Sequence, residues 1–247
     1  GVPLHHAAEA FAELGALPGL ALEGLAIHIG SQLGDLAPLE TAFGKIGTLL
    51  GQLREAGHTI TRVDLGGGLG VPYRAGESFP SPADYGAMVA RVTRDWGVQL
   101  VFEPGRVIAG NAGVLLTRVV RVKRGLNNPF VIVDAAMNDL ARPALYGAWH
   151  DFEPVAQTEE RMTANIVGPI CETGDTFATN RDCPALVAGD LAVFRTAGAY
   201  GATMASSYNS RGFVPEVLVS GSDFAVVADR IDAGAIMDAE RVPEWLD

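Results

Sequence analysis

The chain has 247 residues, 48% of them hydrophobic, and its 18 Lys and Arg against 29 Asp and Glu give a net charge of −11. This predicts a soluble globular protein with enough apolar material for one barrel-sized domain or two smaller ones. The acidic balance argues against a nucleic-acid partner, and no apolar run approaches the roughly 20 residues that a membrane span needs. The only dense basic patch, Arg118, Arg121, Lys123 and Arg124, lies in a strand-like segment and reads as a solvated strand end. The start, Gly1-Val2-Pro3-Leu4-His5-His6, has no secretory pattern, so the expected location is cytoplasmic. Cys171 and Cys183 are too few for a disulfide scaffold and lack zinc-site spacing, so no metal is expected.

In chain order, Leu22 to Ile29 reads as a buried strand ending in His28-Ile29-Gly30-Ser31-Gln32. A helix follows, with Leu36, Leu39, Phe43, Ile46, Leu50 and Leu53 at helical spacing and Gly57 as its stop. Ile60 to Leu65 is the next strand and runs into Gly66-Gly67-Gly68; Ser81-Pro82 opens a helix that ends near Gly97. Gln99 to Phe102 is a third strand, closed by Glu103-Pro104-Gly105-Arg106. Strand and helix in alternation imply right-handed crossovers and parallel strands, in a barrel or an open doubly wound sheet.

Beyond about residue 111 the helices give way to short β-type runs: Val114 to Val122, Phe130 to Val133, Ala164 to Val167, Leu191 to Arg195, Val217 to Val219 and Phe224 to Val227. These predict an antiparallel β domain. The boundary is placed near Ala109 to Ala112, with domains 1–110 and 111–247.

The carboxyl ends of parallel strands form the site in α/β folds, so His28, the glycine run, Glu103 and Arg106 should converge on one face. The glycines read as a phosphate cradle or as a plain strand-to-helix turn. Arg106 suits a phosphate or carboxylate clamp; Glu103 suits a protonated pyridine nitrogen, or the two form a local ion pair. His28 is a core histidine or a flat ring on an aromatic cofactor. In Cys171-Glu172-Thr173-Gly174-Asp175 the carboxylates should favour a protonated thiol that donates a proton, while burial as a small hydrophobe is the plainer reading. Arg142-Pro143-Ala144-Leu145-Tyr146 and Gly198-Ala199-Tyr200-Gly201 suit anion recognition or are surface loops.

In this order, the six motifs resemble those of the meso-diaminopimelate decarboxylases, pyridoxal-phosphate enzymes of the alanine-racemase-like barrel class. The likeness runs from about Gly24 to Phe213. It implies a partial (β/α)8 TIM-type barrel followed by the β domain, and decarboxylation of meso-2,6-diaminopimelate to L-lysine. It further implies that pyridoxal 5'-phosphate is the cofactor, with His28 stacking on the ring and Glu103 at the ring nitrogen. Ser31, Gly67 and Gly68 would hold the phosphate, within a cofactor-binding set that includes Pro104, Gly105, Arg106 and Tyr200. Arg106, Arg142, Tyr146, Glu172 and Tyr200 would bind substrate, and Cys171 would deliver the proton that replaces carbon dioxide. Cys171 and Glu172 would serve a neighbouring subunit, making the site a property of a homodimer. Glu172 with Arg142 and Tyr146 suits a substrate ending in an ammonium and a carboxylate; decarboxylases of arginine, ornithine or carboxynorspermidine, and a non-catalytic binding module, are the alternatives.

The family also needs a Schiff-base lysine on an early barrel strand. Lys45 and Lys123 are the only lysines. Lys45 lies opposite the apolar stripe of its helix and Lys123 in the basic segment of the β domain, so neither fits that role. The chain is therefore expected to be the carboxyl-terminal part of a longer polypeptide, to lack the amino-terminal half of the barrel, and to be inactive alone.

Overall fold

The computed structural model describes residues 1–156 and 158–246, and the chain divides into two compact units. The first comprises residues 1–72 and 76–108; the second comprises residues 73–75 and the chain from Ala109 onward.

The first unit alternates helix and strand: α1 (Ala7–Gly15), β1 (Gly24–Ala26), α2 (Ala37–Glu55), β2 (Arg62–Asp64), α3 (Pro82–Val92), β3 (Gln99–Val101) and the start of α4 (Gly105–Ala109). The strands pair in the order β1-β2-β3, all parallel, with Leu25 opposite Val63 and Val63 opposite Leu100. This is the β/α pattern of a partial barrel, as expected. Formal strands are shorter than the apolar runs, yet the ladder continues past them: the amide of Ile27 donates to Asp64, that of Leu65 to Val101 and that of Glu103 to Gly66.

Periodicity sets the packing of α2. Leu39, Phe43, Ile46, Leu49, Leu50 and Leu53 are buried on the face that meets Val63 and Leu65, while Lys45 on the opposite face is exposed, as the sequence predicted. A capping box starts α3: the Ser81 hydroxyl accepts from the Asp84 amide, and the Asp84 carboxylate accepts from the Ser81 amide, each at 3.1 Å. That helix stops at Val92, short of Gly97. The Thr93 hydroxyl and amide both bond the Val89 carbonyl, and the Trp96 amide then turns onto Thr93, which carries Trp96 into the core. Beside β3, an outer strand of this sheet, lies an apolar cavity of about 480 Å³ lined by Tyr85, Val89, Leu100, Phe102 and Ile108 among others.

The second unit contains β4 (Leu115–Lys123), β5 (Phe130–Val133), α5 (Arg142–Tyr146), β6 (Phe152–Pro154), β7 (Arg161–Val167), β8 (Thr176–Pro184), β9 (Leu191–Phe194), β10 (Glu216–Ser220), β11 (Asp223–Ala228) and α6 (Ala233–Met237). Six strands form one sheet in the order β6-β9-β4-β5-β7-β8, antiparallel throughout except that β5 runs parallel to β7. Val119, Val131, Val133, Ile166, Phe177 and Phe194 form its core. β10 and β11 make a separate hairpin whose Val217, Val219, Phe224 and Val226 are exposed. Among the described residues no helix is long and apolar enough to cross a membrane, and no cluster of His, Cys, Asp and Glu could hold a metal.

Leu53 is 1% exposed, so Leu53→Ala is expected to cost about 3 kcal/mol of stability. Lys45→Ala should change it by less than about 0.5 kcal/mol. Urea titration followed by far-UV circular dichroism measures both.

Candidate functional site

In the first unit the three strand ends meet at Gly66-Gly67-Gly68. Cβ atoms built there would run into the carbonyl oxygens of Ile27, Glu103 and Gly30 respectively, and Gly66 and Gly68 also adopt positive φ (67° and 105°). Backbone crowding alone therefore requires glycine here, whatever the loop binds. The crowding also has a chemical consequence. With no side chains in the way, the amides of Gly67 and Gly68 stay uncovered, and among the described residues they meet no hydrogen-bond acceptor.

The loop after β1 is fastened to this run. The Leu33 amide donates to Gly68, the Gly70 amide to Leu33, and the Gln32 side chain both donates to and accepts from the backbone of Val71. Ser31 is thereby fixed beside the glycines, and Arg106 at the start of α4 donates from Nη2 to the Ser31 hydroxyl at 3.1 Å. His28 is exposed, with Nδ1 3.3 Å from the point where a Gly66 Cβ would sit, so its ring lies over the glycine run and not in a core. Glu103 is exposed and forms no ion pair with Arg106; its carboxylate is unpartnered among the described residues. The local ion pair considered for Glu103 and Arg106 is absent. Pro104 and Gly105 turn the chain into α4, with the Gly105 amide bonded to the Glu103 carbonyl at 2.9 Å. A hydroxyl, a guanidinium and two open amides thus gather at one sheet end, donors suited to a phosphate, with an imidazole face and a carboxylate acceptor beside them that suit an aromatic ring carrying a protonated nitrogen.

In the second unit, the loop from Gly168 to Thr176 presents Cys171, whose thiol is exposed. Asp175 builds that loop from within. Its carboxylate is buried and accepts from the amides of Met137 (2.7 Å) and Ile170 (2.8 Å). Burial pushes the Asp175 carboxyl above the usual carboxylate range, against the two amides and the Arg211 charge, which pull it down. Glu172 accepts from the Gly174 amide at 3.0 Å and from the Tyr208 hydroxyl at 3.3 Å. Tyr208 itself stands on a segment with left-handed residues at Asn209 and Ser210. Arg211 anchors that segment by donating to Asn138 (2.9 Å) and to the Asp134 carbonyl (2.7 Å), beside the buried Asp139 at 3.6 Å. Burial raises the Asp139 carboxyl too, opposed by the Ala136 amide, Arg211 and Asn138.

Arg142 opens α5 and donates from Nη1 to Nε2 of the buried His150 at 2.9 Å, with its guanidinium 4.6 Å from the Tyr73 ring centre. Tyr146, at the other end of α5, is 68% exposed. Tyr200 has a left-handed backbone (φ 60°) in a turn held by Gly198, whose amide donates to Gly110.

The sequence-predicted residues divide between the units. His28, Ser31, Gly67, Gly68, Glu103 and Arg106 gather in the first; Cys171 and Glu172 share a loop, and Arg142 and Tyr146 a helix, in the second. Tyr73, His150 and Tyr208 carry no motif signal, because each reaches its partner only through the fold. Asp175 was visible in the sequence as part of the cysteine turn, but its role as the clamp of that turn was not.

The family model described as pyridoxal-dependent decarboxylase, C-terminal sheet domain, matches residues 28–198. A diaminopimelate decarboxylase of Zymomonas mobilis is 48% identical over the whole chain, which spans 59% of that relative's length. One from Vibrio cholerae is 43% identical over 98% of the chain and 58% of its own length. The crystal structure of a Helicobacter pylori diaminopimelate decarboxylase complexed with L-lysine superposes with a TM-score of 0.89 at 34% identity, covering 96% of this chain and 59% of that one. The chain thus spans less than two thirds of these relatives.

The raised carboxyls have a sign that can be measured. Where folding raises an acid's pKa, the folded state binds the proton more tightly, so stability falls as pH climbs through the window between the ordinary and raised values. Asp84 and Asp182 are instead held low, by hydrogen bonds from Ser81 and Arg161 respectively. A carboxyl ¹³C NMR titration is expected to show Asp139 and Asp175 protonating at higher pH than Asp84 and Asp182.

Proposed function

Because the chain belongs to the family of pyridoxal-dependent decarboxylases, we propose that it supplies part of the active site of an enzyme that decarboxylates meso-2,6-diaminopimelate to L-lysine. The observation that carries this reading is the gathering of Ser31, Arg106, the open Gly67 and Gly68 amides and the unpaired Glu103 at three strand ends. The names of the relatives at 48% and 43% identity support diaminopimelate as the substrate.

When bound, pyridoxal phosphate supplies an electron sink for the pair left on the α-carbon as carbon dioxide departs. The chain's own groups have separate tasks. Ser31 Oγ, the Gly67 and Gly68 amides and the Arg106 guanidinium would hold the phosphate. His28 would pack on the pyridine ring, and the Glu103 carboxylate would favour the protonated ring nitrogen. Cys171 Sγ delivers a proton to the carbon that has lost its carboxylate, so that a C–H bond replaces the broken C–C bond. At the far end of the substrate Glu172 takes the ammonium, while Arg142 and Tyr146 take the carboxylate. An arginine has no task with a substrate ending in an amine alone, which favours diaminopimelate over ornithine, arginine or carboxynorspermidine. A bare binding module has no use for the exposed thiol.

Lys45 and Lys123 are both exposed, the first on the outer face of α2 and the second at the end of β4. The lysine that anchors the cofactor is therefore assigned to residues outside these 247, with the rest of the barrel. Cys171 and Glu172 are assigned to a site shared within a homodimer, and the enzyme to the cytoplasm.

The full-length protein is expected to release carbon dioxide from diaminopimelate and not from ornithine or arginine; the reverse preference would overturn the substrate assignment. Cys171→Ala should lower kcat by about 10²- to 10⁴-fold. Residues 1–247 expressed alone should give no borohydride-fixed cofactor on Lys45 or Lys123, as judged by peptide mass spectrometry.

A further inference from the structure

His150 is 3% exposed, and both of its ring nitrogens are committed. Nδ1 lies 2.8 Å from the carbonyl oxygen of Arg195, and Nε2 lies 2.9 Å from Nη1 of Arg142. A carbonyl only accepts and a guanidinium only donates, so the proton must sit on Nδ1 and Nε2 must be the acceptor. A second proton, on Nε2, would face the guanidinium donor. The ring is therefore a neutral imidazole with a defined tautomer.

Its surroundings hold that ring still. Tyr73 meets it edge-on, with ring centres 5.3 Å apart, and also presents its face to the Arg142 guanidinium. The main-chain oxygen of His150 accepts from Nη1 of Arg181 at 3.0 Å, and Arg181 lies on the Trp149 ring at 3.4 Å. Trp149 in turn donates to Asp151 at 2.6 Å, and Asp151 accepts from the Ala75 amide at 2.8 Å. Arg142 is thus gripped at one corner by an imidazole and supported on one face by a phenol. A long, flexible side chain set in place before a ligand arrives loses less freedom on binding.

We propose that His150 is a positioning residue for Arg142: through Nε2 it fixes the guanidinium in the orientation that receives the distal carboxylate of the substrate. This rests on Arg142 binding that carboxylate, as proposed above. It makes His150 a determinant of specificity for substrates that end in an ammonium and a carboxylate, over those that end in an amine alone.

Two substitutions in the full-length holoenzyme separate this role from a structural one. The amide nitrogen of Asn stands where Nδ1 does and can serve the Arg195 carbonyl, but Asn cannot reach Arg142. The amide oxygen of Gln stands where Nε2 does and can accept from Arg142, but Gln loses the Arg195 carbonyl. His150→Asn is expected to raise KM for diaminopimelate and Ki for L-lysine, which keeps the distal carboxylate, by about 10- to 100-fold. The change in kcat should be much smaller, Ki for cadaverine, which has no carboxylate, should not move, and His150→Gln should recover most of the loss. A wild-type KM in His150→Asn, or recovery by Asn and not by Gln, would overturn the proposal. Arg142→Gln tests the premise by itself: an unchanged KM there overturns carboxylate binding by Arg142. A raised KM there, with His150→Asn unaffected, overturns the positioning role alone. Should neither His150 variant fold, ¹⁵N NMR of the wild-type imidazole decides, since a proton on Nε2 excludes the role.

Discussion

Where β2 ends, three consecutive residues have no room for a side chain. The carbonyl oxygens of Ile27, Glu103 and Gly30 occupy the places where Cβ atoms of Gly66, Gly67 and Gly68 would go. This crowding follows from parallel strands held in register, whose ends lie side by side. The rest of the first unit's site depends on it. It brings the loop carrying Ser31 against the glycines, leaves two amides uncovered, and sets Glu103 and Arg106 on the neighbouring strand end, Arg106 bonded to Ser31 and the Glu103 carboxylate without a partner among the described residues. The same glycines thus answer a steric demand and leave two amides open to a ligand, the feature on which the proposed phosphate grip rests.

The second unit solves a different problem, that of holding polar loops without regular structure. It does so with buried charged and polar groups: Asp175 inside the cysteine loop, Asn138 and Asp139, joined by the half-buried Arg211, under the Tyr208 segment, and His150 beneath Arg142. Each is satisfied by several hydrogen bonds, which offsets the cost of taking it out of water. Burial still leaves its mark, since Asp139 and Asp175 both hold their protons more tightly than an exposed carboxyl does. Cys171, Glu172 and Tyr146 are exposed on the loops and the short helix that these groups support.

Legibility in the sequence followed the range of the physical cause. The apolar stripe of α2, the Ser81-Pro82 start of α3 and the exposed Lys45 are local properties of period and capping, and they read directly from residues. β5, β10 and β11 matched their β-type runs closely. β6 and β8 did not register, because Phe152–Pro154 and Thr176–Pro184 carry no apolar run; β8 buries only Phe177, Arg181 and Cys183. α3 ends at Val92, five residues before the glycine that marks its end in the sequence, because the backbone turns at Thr93, where the Trp96 amide bonds the Thr93 carbonyl.

For the site, residue types beside Gly and Pro at the ends of apolar runs located His28, the glycines, Glu103, Arg106 and the cysteine turn. The sequence by itself determined which chemical groups are available and on which strand ends or loops they sit, because these depend on identity and local pattern. Tertiary structure alone decided the pairings. Glu103 is free and Arg106 is bound to Ser31; Glu172 faces Tyr208; Arg142 rests on Tyr73 and His150. Those partners lie 75, 36 and 8 residues apart for Arg106–Ser31, Glu172–Tyr208 and Arg142–His150. A hydrogen bond depends on distance in space, and that distance is set only when the strands and loops have packed.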